Sequence, residues 1–399
     1  MHARGGGMKI LIAMASSSGQ LSGVQRHAIN LARCLLTRDE VAEVHLVAAP
    51  WQQEFVYDST PRGDRRLRVQ VAPIGNHTLS RNLWFYAQLP KLATRLEVNV
   101  VHLAYPVPVK VAGFHCPTVV SLHDLYPYDI PENFGFPKVM VNRAILGHCL
   151  RAVDAIACVS QSTFEGLKVR EPRLTQKKAR VIYNSVEPPI EPLVPVPEVQ
   201  GVPFLLCVAQ HRRNKNILLA LRVFERLLRA GRLDPGTRLL IVGIPGPETR
   251  AIRDFLALTG LTKSVSLTNG ILDAQLQWCY RNCRLLFAPS SIEGFGLPVA
   301  EALQAGCRVV CSDISAFREL KNDACCYVPL GPQEGERFAE AIQSVFHQAP
   351  PAPIVLPQLS GRVIADEYVR LYRSLLPAQV VSEETCRGPI ISAGERQRL

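Results

Sequence analysis

The segment from Arg284 to Cys311 constrains the fold more than any other. Arg284-Leu-Leu-Phe-Ala288 is a short apolar run stopped by Pro289, the pattern of a strand buried on both faces of a parallel sheet. A polar, glycine-bearing stretch follows, Ser290-Ser-Ile-Glu-Gly-Phe-Gly296. Residues 298–305 then read as a helix. Pro298 fits its first position, where a missing N–H costs nothing, and Gly306 fits the position just past its end. Arg308-Val-Val-Cys311 is the next strand. Strand, loop, helix and strand in this order form a βαβ unit, with the glycine loop at the carboxyl end of the first strand.

The same grammar recurs along the chain. Lys9-Ile-Leu-Ile-Ala-Met14 reads as the first strand, followed by a polar loop, Ser16 to Gly23, and a helix over 24–36. Strand-like runs follow at 43–48, 67–71, 98–103, 118–122 and 155–160, with helical stretches between several of them. After a segment holding Pro188, Pro189, Pro192, Pro195 and Pro197, strands are expected again at 204–209, 238–243, 264–270 and 323–329, with helices over 217–230, 273–282 and 338–346. Such alternation predicts an α/β fold with parallel sheets covered by helices. Clustered prolines make a stiff, extended linker. We therefore divide the chain into a first domain over 8–185, a linker over 186–201 and a second domain over 202–360. A last amphipathic helix covers 361–376, with polar, disordered ends at 1–7 and 377–399.

Chemistry is expected at the carboxyl ends of the strands, where open α/β sheets bind ligands. The first turn of a helix offers free N–H groups and partial positive charge, so it attracts phosphate. Gly294 and Gly296 let a ligand approach the backbone closely. Glu293 in the loop and Glu301 in the first helical turn would repel phosphate but accept hydrogen bonds from hydroxyls. A ligand with phosphates in the middle and hydroxyls at both ends satisfies all three features, and a nucleotide-sugar is such a ligand. Glu301 also reads as an acid complementing the helix dipole.

Glu293-Gly-Phe-Gly-Leu-Pro-Val-Ala-Glu301 resembles the E-x7-E motif of retaining glycosyltransferases of the GT-B fold, glycosyltransferase family 4, and the resemblance extends from about residue 8 to about 376. It implies two Rossmann-like, doubly wound domains facing a central cleft. It also implies that Glu293 contacts the donor sugar, that Glu301 binds the ribose, and that amides at Gly294, Phe295, Gly296 and Leu297 hold sugar and diphosphate. His123, in the His-Asp pair after the 118–122 strand, is expected to face the donor sugar near the leaving phosphate, with Asp124 as structural support. Lys215 matches the lysine of the diphosphate clamp. Gln210 stands where the family has an arginine, so either Arg212 or Arg213 takes that part. Gly23 is carried over from the first loop, where Ser22 replaces a second glycine; Ser185 likewise replaces a glycine. Asn269 and Gly270 fall where the nucleotide base is received. Ser160 to Glu165 matches a Val-Ser-x-x-Ser element, and Ser162 with Glu165 also reads as a capping box. The stretch from Leu125 to Asn133 is read as a mobile loop near the acceptor.

The expected activity is transfer of a hexose, from GDP-mannose or a UDP-sugar, to a glycan or lipid-linked acceptor with retained configuration. No D-x-D occurs, so no metal or other cofactor is called for. A GT-B epimerase or phosphorylase, and a catalytically idle nucleotide-sugar scaffold, stay open as alternatives. The net charge of +11, from 45 basic and 34 acidic residues, is compatible with nucleic acid. Aromatics do not interleave the basic runs as stacking requires, so nucleic acid is not expected, and the charge reads equally as attraction to anionic lipid or as a basic solvated surface. Most of the twelve cysteines lie in apolar runs and no C-x-x-C occurs, which fits buried, reduced thiols and a cytoplasmic chain. No apolar run reaches the roughly 18 residues of a membrane span, and the first residues lack the apolar region of a signal peptide.

Overall fold

The structure is a computed structural model that describes residues 7–60, 63–187 and 191–377. The expected disordered ends fall almost wholly outside the described residues, as do Pro188 and Pro189 of the proline-rich segment. The first seven strands are β1 (Met8–Ala13), β2 (Val41–Ala48), β3 (Leu67–Val71), β4 (Val100–Leu103), β5 (Thr118–Leu122), β6 (Ala155–Cys158) and β7 (Ala179–Val181). They form one parallel sheet in the order β3-β2-β1-β4-β5-β6-β7. A second parallel sheet holds β8 (Phe204–Val208), β9 (Arg238–Val242), β10 (Val265–Thr268), β11 (Leu285–Ala288), β12 (Val309–Ser312) and β13 (Cys325–Val328). Its order is β10-β9-β8-β11-β12-β13. These are two Rossmann-like domains.

Both sheets reverse their winding at the first strand, between β1 and β4 and between β8 and β11. At such a switch point the flanking connections leave in opposite directions and open a crevice beyond the strand ends. Side chains alternate across each sheet with the period of two that a strand imposes. Leu11 and Ala13 enter one core, Ile10 and Ile12 the opposite one. In the second domain Phe204 and Leu206 face one core, Leu205 and Cys207 the other.

The last helix, Gly361–Leu375, packs on the first domain, against the helix Gly23–Leu36. Its Ile364, Tyr368, Val369 and Tyr372 belong to the same core as Ile10 and Ile12. The chain thus returns to the domain in which it began.

Several local readings need correction. The central helix is Leu297–Gln304 with Gly296 as its cap residue, so Pro298 takes the second helical position. Glu301 is the fifth residue and lies in the second turn, with no acid in the first. The loop expected over 125–133 contains a short helix, Tyr126–Asp129, and a 3-10 turn, Pro131–Asn133. The Ser162/Glu165 capping box is displaced: Ser160 caps the helix Gln161–Arg170 by accepting the Thr163 N–H at 2.9 Å. Glu165 instead reaches Gln161 and Lys168 along the surface. The helix expected over 338–346 starts earlier, at Glu334.

Candidate active site

The second-domain half of the site is built on the ends of β8 and β11. Residues after β8 turn through Arg213–Lys215 and a left-handed Asn216 into the helix Ile217–Arg229. This presents Lys215 to Glu293, whose two carboxylate oxygens each lie 2.6 Å from Nζ. Only 18% of the lysine side chain and 10% of the glutamate side chain are exposed. Two largely desolvated charges this close compensate each other, so the anionic loop and the cationic loop are held together before any ligand arrives. Asn214, itself buried, fixes the same loop: its side-chain Nδ2–H donates to Ile292 O at 3.2 Å and its backbone carbonyl accepts the Ser291 N–H at 2.8 Å.

Backbone demands explain the glycines. Gly296 has φ of 95°, and a Cβ there would strike the Phe317 ring at 2.7 Å. A Cβ on Gly294 would lie 1.8 Å from His123 O. Both positions need glycine, one for conformation and clearance and one for close approach. Phe295 is buried against Tyr183, and Leu297 opens the helix at its first position.

Glu301 lies on the helix Leu297–Gln304. Tyr280 Oη donates to its Oε2 at 2.8 Å. Burial pushes the Glu301 carboxyl up, against the pull of Arg26 and of the Tyr280 hydrogen bond. Arg26 comes from the first domain and donates to Asp273 at 2.8 Å. Burial works against the Arg26 charge, but Glu301 and Asp273 outweigh it and raise its pKa. Asn269 and Gly270 are exposed just beyond β10, with Gly270 at φ 65°.

Of the two candidate arginines, Arg212 is half-buried and its charge acts on Asp124 and Tyr126 across the cleft, whereas Arg213 is exposed. Gln210 contributes its carbonyl, which accepts the Arg212 N–H at 2.7 Å.

The first-domain half is built on β5. His123 follows that strand and donates Nε2–H to Ala104 O at 2.8 Å. Burial lowers its pKa to about 4, so the ring is neutral. Behind it lies a buried polar chain. Tyr372 Oη and His102 Nδ1 are 2.8 Å apart, and Ser121 Oγ lies 2.8 Å from both His102 Nε2 and His27 Nε2. The His27 ring stands edge-on to that of His123, with centroids 4.8 Å apart. Each buried polar group needs its partner, so this chain ties His27 to the last helix and braces the His123 ring. Asp124 accepts the Tyr126 N–H at 3.0 Å, and burial raises its pKa to about 6. Gly23 begins the helix Gly23–Leu36 with open space around it. Ser22 is extended, with φ of −94°, so no glycine is required there.

The halves meet directly. Ser160 Oγ donates to Gly294 O, and Thr163 Oγ1 lies 3.2 Å from both Gly294 O and His123 O. Tyr126 Oη reaches Ile292 O at 3.4 Å and Glu293 Oε2 at 3.5 Å. Asn133 donates to Asn214 at 3.1 Å. A cavity of about 500 Å³ opens beside these contacts, bounded by Asp124, Tyr126, Glu293 and Gly294.

The structure therefore brings His123, Lys215, Glu293, Gly294 and Arg212 to one seam, and sets Glu301 on the helix that follows, beside Tyr280. Sequence reasoning missed Arg26, Tyr126, Asn214 and Tyr280. Asn214 was masked by the basic residues around it, and Tyr280 sits in an otherwise ordinary amphipathic helix. Arg26 reaches its partner only after both domains have folded.

Two family models match the chain. "Glycosyltransferase Family 4" covers residues 21–188 and "Glycosyl transferases group 1" covers 195–352. Together they account for most of the described residues. Among curated proteins, the chain is 23% identical over 341 residues to O-antigen chain mannosyltransferase B of Escherichia coli, covering 79% of this chain and 85% of that one. It is 23% identical over 227 residues to O-antigen chain mannosyltransferase RfbU of Salmonella typhimurium, covering 57% and 60%. Among solved structures, Anabaena HepE in complex with UDP and glucose superposes with a TM-score of 0.63 at 18% identity, covering 92% of this chain and 98% of that one. The two-sheet architecture and the matched models agree: the chain is a GT-B glycosyltransferase of the group 1/family 4 type.

Proposed function

We propose that this enzyme transfers mannose from GDP-mannose to a lipid-linked, O-antigen-like glycan, with retention of configuration and without a metal. The observation that carries the reading is the segment after β11 in which Glu293, paired with Lys215, is followed by the 294–297 amides and then by Glu301 on the helix Leu297–Gln304. Its charges follow a nucleotide-sugar from end to end: a carboxylate for sugar hydroxyls, a cation and helix amides for the diphosphate, and a carboxylate for the ribose. The choice of mannose is supported by the printed activities of the mannosyltransferase relatives.

In the reaction, positive charge grows at the sugar carbon and negative charge on the departing diphosphate. Lys215, Arg212 and the amides preceding the helix stabilise the latter. Neutral His123 offers a sugar-facing polar group with no charge to compete with the leaving phosphate. When donor enters, the diphosphate takes over part of the compensation that Glu293 gives Lys215, which frees Glu293 to accept sugar hydroxyls. Closing the two halves excludes water and suppresses hydrolysis of the donor.

A lipid-linked acceptor is supported by where charge and apolar surface lie. Residues 8–187 hold 21 Lys and Arg against 14 Asp and Glu. Leu79, Leu83 and Tyr86 are all exposed and share one face of the helix Thr78–Ala87. A domain with a basic balance and exposed apolar side chains fits an anionic membrane surface.

The test is turnover of GDP-mannose and UDP-glucose, with and without a polyprenyl-diphosphate-linked oligosaccharide, followed by assignment of the new anomeric linkage. Mannosyl transfer with an α linkage, unaffected by EDTA, is the expected outcome. Binding without turnover on any acceptor would move the protein to the scaffold alternative, and a metal-restorable loss in EDTA would overturn the metal-free step.

A further inference from the structure

The helix Gln161–Arg170 in the first domain has an unusual source for its N-terminal hydrogen bonds. The first amides of a helix have no intrahelical partner. Ser160 satisfies that of Thr163. Those of Gln161 and Ser162 donate to Glu319, at 2.8 Å to Oε2 and 2.6 Å to Oε1. Glu319 belongs to the second domain, at the end of the short helix Ser315–Arg318. Ser162 Oγ and Ser315 Oγ are 2.6 Å apart beside it. One carboxylate thus supplies two charge-assisted bonds to the positive end of a helix in the other domain.

This contact adjoins the seam. Ser160 and Thr163 sit in the same helical turn that Glu319 caps, and their hydroxyls hold Gly294 O against the end of β5. Separating the domains would leave the two amides and the carboxylate without these partners. The Arg26–Asp273 pair, with 25% and 29% of its side chains exposed, is a further contact between the domains.

We propose that Glu319 is a positioning residue that clamps the two domains shut over the transfer site by capping, from the second domain, the first turn of the helix Gln161–Arg170. The clamp seats Gly294 on His123 and so brings the donor-sugar carboxylate of Glu293 to the wall where His123 stands. Its catalytic meaning rests on the transferase reading above; its effect on closure does not.

The experiment compares the full-length parent with Glu319→Gln and Glu319→Ala. Small-angle scattering is recorded with and without GDP, and donor KM and kcat are measured with GDP-mannose. The clamp predicts a larger radius of gyration for Glu319→Ala in both conditions. It also predicts a donor KM raised about tenfold, because the closed, competent form becomes a minority. Glu319→Gln keeps one acceptor oxygen and falls between the two. Unchanged scattering curves and unchanged KM in both variants would overturn the clamp. Absence of parent turnover with GDP-mannose would count against the proposed donor, while the scattering series still decides the clamp. If Glu319→Ala fails to fold, Glu319→Gln carries the same comparison.

Discussion

The two switch points are alike in topology and unlike in finish. At the β8/β11 crevice the loops are pinned: Lys215 is locked to Glu293, Asn214 holds Ser291 and Ile292, and Gly294 and Gly296 have no room for a methyl group. At the β1/β4 crevice Gly23 has no neighbour within 4 Å of where a Cβ would stand. The rigidity there lies deeper, in the chain from Tyr372 through His102 and Ser121 to His27. A crevice finished to the last atom suits a ligand part that never changes, such as a nucleotide diphosphate. A braced wall beside open space suits partners that differ in size, such as acceptors.

The largest contrast should come from glycine substitution. Gly294→Ala would drive a methyl group into the His123 carbonyl, with a penalty above about 3 kcal/mol or an opened cleft, and transfer should vanish. Gly23→Ala should leave the melting temperature within a degree or two of the parent, as for an open surface site within about 0.5 kcal/mol. Equal tolerance of both in a thermal melt and an activity assay would erase the distinction.

Next in size is Lys215→Ala, which leaves Glu293 without its partner and should cost about 3 kcal/mol or more of stability. Adding Glu293→Gln should restore part of the denaturant midpoint without restoring activity. A double variant no more stable than Lys215→Ala would mean that the pair is not coupled.

Acid should reveal the first-domain wall. Burial lowers His123 to about 4 and His102 to about 3, and it drives His27 well below the ordinary value. Below about pH 6.5 the unfolded chain takes up protons that these rings refuse, so stability falls as pH drops from 6.5 toward 4. Asp124, raised to about 6, has the opposite sign: its contribution weakens stability as pH rises from about 4 to 6. The three rings thus oppose Asp124, and His123→Asn should remove part of the loss of stability in acid. A steeper slope in that variant would contradict the assignment.

The smallest effects are single hydroxyls. Tyr280→Phe should weaken nucleotide binding by roughly fivefold, and Tyr372→Phe should cost about 1 kcal/mol of stability with nucleotide affinity unchanged. The reverse pattern, read by calorimetry and thermal melts, would invert the proposed division of labour.

Much of the fold could be read from period and punctuation. The β5 and β11 runs are apolar for the length of a buried strand, and Gly306 ends its helix in a left-handed turn of φ 75°. Glu293 and Glu301 stood out because loop, proline and glycine fall in one short window, whereas Lys215 came from its match to the family's diphosphate clamp. Arg26, Tyr126 and Glu319 were not, because each acts across the cleft: Arg26 meets Asp273, and Glu319 meets residues more than 150 positions away. Nothing local distinguishes such a residue from an ordinary surface charge. The capping role of Ser160 was misassigned for a related reason. Two serines two apart offer two caps, and only the strand end at Cys158 decides between them.

The most direct test of the central claim is calorimetric titration of GDP, UDP and ADP into the parent and into Glu301→Ala. The account predicts that GDP binds the parent best and binds Glu301→Ala at least about tenfold more weakly, a difference near 1.4 kcal/mol. Equal affinity in parent and variant, or no nucleotide bound by the parent, would contradict it.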